Sequence, residues 1–125
     1  MHHSHSDSLD TFAQYFTGES VPNGILVHSV FSHMHRLGRA INVSAVWAGG
    51  TEDVLVGVPE FYFEWQRDYI FKEPVLLMSK DQLKLDCWWD NSQEGRIARE
   101  VAPAEFKPWG GVKEPSTRCA LRRLM

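Results

Sequence analysis

A chain of 125 residues with 43% hydrophobic content suffices for one cooperative core and argues for one domain rather than two. Its 13 basic and 16 acidic residues give a formal charge of -3, so no net positive field recruits nucleic acid, and the terminal cluster Arg118, Arg122 and Arg123 reads as a solvated end. No apolar run approaches the roughly 18 residues of a membrane span, and the N-terminus lacks the apolar stretch of a signal peptide.

Residues 1–21 read as a flexible N-terminal segment and residues 22–125 as one β-sandwich domain. The opening Met1-His2-His3-Ser4-His5-Ser6-Asp7-Ser8 is polar and histidine-rich. It has too little apolar surface to offset the entropy of ordering it, so disorder is expected. Leu9 to Phe16 suits a short helix, with Asp7 or Ser8 as its cap and Leu9, Phe12 and Phe16 as its apolar stripe. Gly18 and Pro22 stop it.

Beyond Pro22 the pattern is strand-like and turn-rich. The spacing predicts strands at Ile25 to His33, Ala40 to Trp47, Val54 to Val58, Phe61 to Trp65, Pro74 to Met78 and Gln82 to Trp89. Gly49-Gly50, Val58-Pro59, Ser79-Lys80-Asp81 and Asp90-Asn91-Ser92 punctuate them. With no long helical crossover, this is an all-β chain forming an antiparallel sandwich or barrel. Phe61, Tyr62, Phe63, Trp65, Tyr69, Trp88 and Trp89 are expected to serve chiefly as its core, with an exposed binding platform as the alternative. Trp65-Gln66 and Asp90-Asn91-Ser92 set polar groups beside bulky ones at strand ends, where they cap turns through side-chain-to-backbone bonds.

The chemical lead is Ser32-His33-Met34-His35-Arg36-Leu37-Gly38-Arg39. Histidines at i and i+2 on a strand share one face of the sheet, with Met34 on the other. Two neutral imidazoles on one rigid strand are good ligands for copper, zinc or iron, although the same spacing serves a surface pair or a hydrogen-bonded pair. Cys87 and Cys119 are the only cysteines. They are too few and too far apart for a thiolate zinc knuckle, and they leave open one disulfide or two buried small side chains.

Collectively His33-Met34-His35-x-x-Gly38-Arg39, Phe63-x-Trp65-Gln66-x-x-Tyr69, Pro74 and Cys87-x-x-Asp90-Asn91-Ser92 resemble a known family. It is the C-terminal catalytic domain of copper type II, ascorbate-dependent monooxygenases, which include peptidylglycine alpha-hydroxylating monooxygenase and dopamine beta-monooxygenase. The resemblance runs from about Gly24 to Trp109, and the Trp-Gln and Asp-Asn-Ser elements are similar to bacterial members especially. It implies a jelly-roll β-sandwich in which His33 and His35, with a later methionine, bind the copper that activates oxygen. It also implies a disulfide between Cys87 and Cys119, and a secreted or periplasmic setting accompanies it.

Three departures accompany the resemblance. If Cys119 is the family's second cysteine, the methionine position falls on Arg118, whose guanidinium has no lone pair for copper. Met34 should face away from the pair, Met78 and Met125 are the other candidate sulfur donors, and His28 reaches the pair's face only if a bulge changes the strand phase. Family enzymes also carry a preceding sandwich with a second copper, so a companion copper-binding domain or protein is the expected partner. Phe31 occupies the place of the arginine that binds the substrate carboxylate in peptide-hydroxylating members. The expected function is a copper-dependent monooxygenase-like domain. A copper-binding or copper-carrier module and a non-catalytic β-sandwich interaction domain are the alternatives.

Overall fold

The computed structural model describes residues 2–99 and 119–124. In chain order these form β1 (His2–Ser8), α1 (Leu9–Thr17), β2 (Ile25–Met34), β3 (Gly38–Val46), β4 (Glu52–Val58), a 3₁₀ turn (Phe63–Trp65), β5 (Asp68–Leu77), β6 (Gln82–Trp89), α2 (Gln93–Ala98) and β7 (Cys119–Leu124). One sheet has the order β1-β6-β3-β4 and the other β5-β2-β7, and every pairing is antiparallel.

The sheets face each other across an apolar interior, which makes the chain an all-β sandwich. Val27 and Val30 from β2 and Leu77 from β5 pack with Val43 and Ala45 of β3, Val56 of β4 and Leu83 of β6. Nearer the other end of β2, Met34, Leu37, Ile41, Phe61, Cys87 and Trp89 form a second buried cluster. Alternation on β6 accounts for its share, because Leu83 and Cys87 point inward while Trp88 lies on the outer face.

The segment expected to be disordered is instead β1. It pairs with β6 along its whole length, from His2 opposite Trp88 to Ser8 opposite Gln82. Adding an edge strand satisfies backbone donors and acceptors whatever the side chains are, so hydropathy gives no warning of it. Local contacts hold the register. The His2 ring stacks on Trp88 at 4.7 Å and 13°, and Ser6 Oγ donates to Gln82 Oε1 at 2.7 Å.

Helix α1 follows the expectation closely. Thr11 N–H donates to the Ser8 hydroxyl at 3.1 Å, and Gly18, at φ 74°, closes the C-terminus in the left-handed conformation that only glycine adopts cheaply. Leu9 is fully buried at its start.

Phe61–Trp65 is not a strand. The chain there crosses from β4 in one sheet to β5 in the other, and the Trp65 N–H bond to Tyr62 O at 3.0 Å turns it away from any ladder. The next strand begins earlier than expected, at Asp68, and carries Pro74 inside it. An edge strand tolerates that proline, because among the described residues β5 pairs with β2 alone and the register skips from Val27–Val75 to Ser29–Ile70. Among the aromatics, Phe61 and Trp89 are core, whereas Tyr62 is 46% and Trp65 79% exposed.

Candidate metal centre

Strand β2 changes phase midway. Val27 is buried and His28 exposed, yet farther along Val30, Ser32 and Met34 are the buried set. The pairing with β5 slips between Val27 and Ser29, and the pairing with β7 slips between Phe31 and Ser32. Such bulges insert a residue and flip the alternation. Leu26, His28, Phe31 and His33 therefore all lie on the outer face, and Val27, Val30, Ser32 and Met34 on the inner one.

His33 is the penultimate residue of β2, and His35 lies one residue beyond the strand, where it opens the turn into β3. Gly38 N–H closes that turn on His35 O at 2.8 Å. A Cβ on Gly38 would lie 2.8 Å from Met34 Cβ, so only glycine lets β3 start this close to the end of β2. The two imidazole centroids are 5.2 Å apart at 73°, and both side chains are half-buried. The expected pair is brought together at a strand end rather than along a strand.

Gln66 fixes one of the rings. Its Oε1 lies 2.6 Å from His33 Nδ1, while its Nε2 donates to Phe63 O at 2.7 Å. That second bond orients the carboxamide, because only the NH₂ end donates to a carbonyl. Oε1 then accepts, His33 Nδ1 carries the proton, and in the neutral ring Nε2 is the nitrogen that bears the in-plane lone pair. Phe63 packs edge-on against the same imidazole at 6.1 Å, and the Arg36 guanidinium lies over the Phe63 ring at 5.8 Å. Gln66 was legible in the sequence as a turn-capping residue and as part of the family-like Trp-Gln element, not as a partner of His33. Its bond to a histidine 33 positions away depends on the crossover between sheets.

The turn after His35 is held from a second direction. Asp90 N–H donates to Leu37 O at 3.1 Å, and Arg39 reaches both Asp90 Oδ2 at 3.3 Å and Gly95 O at 3.2 Å. Asp90 Oδ1 accepts from Ser92 N–H at 3.0 Å, and the Ser92 hydroxyl caps α2 by accepting from Gly95 N–H. Hydrogen bonds from Ser92, then the Arg39 charge, hold the Asp90 carboxyl below its usual range against a small cost of desolvation. The Asp-Asn-Ser element therefore acts as the expected turn cap and also braces the histidine turn.

Other residues considered as ligands stay apart from the pair. Met34 is fully buried on the opposite face. His28 shares the outer face but sits up to about 16 Å along the strand. Met78 follows Leu77, which pairs with Ile25 at the far end of β2, roughly 25 Å away. Arg118 and Met125 lie outside the described residues. Among the described residues no group of three His, Cys, Asp or Glu side chains converges on one point. Phe31 is half-buried on the outer face, two residues before His33. Cys87 is buried on β6, and the Cys119 backbone pairs with Met34. No helix among the described residues is long and apolar enough to cross a membrane.

The family model for the copper type II ascorbate-dependent monooxygenase C-terminal domain matches residues 4–99. No curated protein and no solved structure matches the chain.

Proposed function

This chain belongs to the copper type II ascorbate-dependent monooxygenase family, as its C-terminal domain, and from that premise we propose that His33 and His35 hold copper in a monooxygenase-like site. The observation that carries the reading is the 2.6 Å bond between His33 Nδ1 and Gln66 Oε1. Metal-binding imidazoles characteristically donate their second nitrogen to a carbonyl or carboxylate, which fixes both tautomer and ring direction. The half-buried His35 ring, 5.2 Å away, supplies the second nitrogen. Imidazole suits copper in either oxidation state, so the donor set fits the ion the family uses.

Copper bound there would supply the one-electron chemistry that reduction of dioxygen requires. The protein's own contribution is positional. Gln66 holds the His33 proton away from the metal side, the Gly38 turn holds His35, and the Asp90–Arg39 brace stiffens that turn. Electron delivery falls to a companion copper-binding domain or protein, so we expect little autonomous turnover. Phe31 offers no charge to a substrate carboxylate, which argues against glycine-extended peptides as substrates. A disulfide between Cys87 and Cys119, and with it a secreted or periplasmic setting, belongs to the same proposal. It is supported by the absence of any free cysteine among the described residues.

The test begins with His3→Gln and His5→Gln, which remove exposed competing imidazoles while leaving β1 in place. Cu(I) and Cu(II) are titrated into this background and into the same background carrying His33→Ala and His35→Ala. Loss of one copper equivalent in the latter is expected, and equal stoichiometry and affinity would refute the site. Oxygen consumption with ascorbate, coupled to product analysis, then separates an enzyme from a carrier. Copper binding without product in the isolated chain fits dependence on a companion.

A further inference from the structure

A concavity lies beside the crossover that carries the chain from β4 to β5. It encloses about 530 Å³, within the size range of small-molecule sites. Ser32 and Val58, from opposite sheets, form its sides together with buried Phe61. Its mouth is aromatic. Tyr62 and Trp65 meet at 5.8 Å and 42° and are largely exposed, and Tyr69 also lines the cleft. A tryptophan 79% exposed beside a cleft is an expensive surface feature unless it contacts something flat and apolar.

The charges at the cleft are not equivalent. Glu60 lines it, but its field is offset by Arg99, whose guanidinium sits 4.0 Å over Tyr62 and interacts favourably with Glu60 and Glu64. Glu64 also faces Arg36 at 3.9 Å. Arg67 lies over the Tyr69 ring at 5.5 Å, and among the described residues no carboxylate comes within ion-pair distance of it. Gln66 lends the cleft a wall, and its carboxamide is held by one bond at each end, to His33 and to Phe63.

We propose that this cleft binds a flat aromatic carboxylate, its ring against Tyr62, Trp65 and Tyr69 and its carboxylate on Arg67. The site is distinct from the histidine pair and requires no metal. Gln66 forms the partition between the two, so an occupant sits directly behind the residue that orients His33.

The test uses the metal-free full chain and calorimetric titration with 2-naphthoate and, as its neutral counterpart, 2-naphthamide. The carboxylate is expected to bind about tenfold tighter than the amide, as one charge-assisted contact provides. Arg67→Ala should weaken 2-naphthoate about tenfold and so abolish that difference. Trp65→Ala should weaken both probes about fivefold by removing the ring contact. Both side chains are exposed, so neither variant threatens the fold. Absence of saturable 2-naphthoate binding, or binding that ignores Trp65, would overturn the cleft assignment. Equal binding of the two probes to the unaltered chain would overturn the carboxylate.

Discussion

Gln66 Oε1 accepts the Nδ1 proton of His33 at 2.6 Å, and the same carboxamide donates to Phe63 O at 2.7 Å. One side chain thus ties the crossover between sheets to the end of β2, and any metal on the pair would feel its removal. Gln66→Leu is expected to lower copper affinity about 10- to 100-fold, the usual cost of losing such a partner. Gln66→Glu keeps the acceptor while losing the bond to Phe63 O, so it should bind at least as tightly as the unaltered chain. Competition against a Cu(I) chelator reads both. Unchanged affinity in the leucine variant would separate Gln66 from metal binding.

The approach of β3 to Met34 sets a sharper stability test. Gly38→Ala would drive a Cβ to 2.8 Å from Met34 Cβ, which belongs to the fixed stem of a fully buried side chain. The turn or the strand end must move. A loss of about 1 to 3 kcal/mol is expected, as for overpacked interiors. Urea denaturation measures it, and an unchanged midpoint would mean the turn has slack that the close contact does not suggest.

Asp86 makes the stability of the outer sheet face depend on pH. Burial alone would raise its pKa, but hydrogen bonds from Ser4, His2 and Lys84 outweigh that and hold it below its ordinary value. His2 Nε2 stands 3.0 Å from Oδ1, and Lys84 Nζ 3.2 Å from Oδ2. A depressed folded-state pKa stabilises fully above the ordinary carboxylate value of 3.8 and ceases to as pH falls through the lower, folded value. Asp86→Asn should therefore cost about 1 to 2 kcal/mol near neutrality. The gap should close below about pH 4. A gap independent of pH would assign the loss to packing.

The histidine pair was legible because its evidence is local: a spacing of two residues and a glycine three positions beyond His35. The strands from β2 to β4 and β6 were legible for the same reason, through alternation and turn residues. What could not be read depends on partners distant in sequence. Polar His2–Ser8 becomes a strand only because β6 offers an edge to it. Gln66 finds His33 only after β4 and β5 take opposite sheets. The slip at His28 leaves no mark in composition, since a bulge conserves the residues and changes only the phase. Aromatic content could not separate buried Phe61 from exposed Trp65, because burial there follows the path of the crossover.

The proposed Cys87–Cys119 bond joins β6 of one sheet to β7 of the other. Cys87 is 1% exposed and shares its buried cluster with Met34, and the Cys119 backbone pairs with that same Met34 in the opposite sheet. The register thus brings both positions to one end of the sandwich. A cross-link closing about thirty residues should stabilise the fold by roughly 3 to 4 kcal/mol on the loop-entropy account, less any strain. Protein matured in an oxidising compartment should take up alkylating reagent at neither cysteine until it is both unfolded and reduced, and then at both. Its urea midpoint should fall on reduction. Two alkylated thiols without reductant would remove the bond, and with it the alignment that sets Arg118 at the family's methionine position.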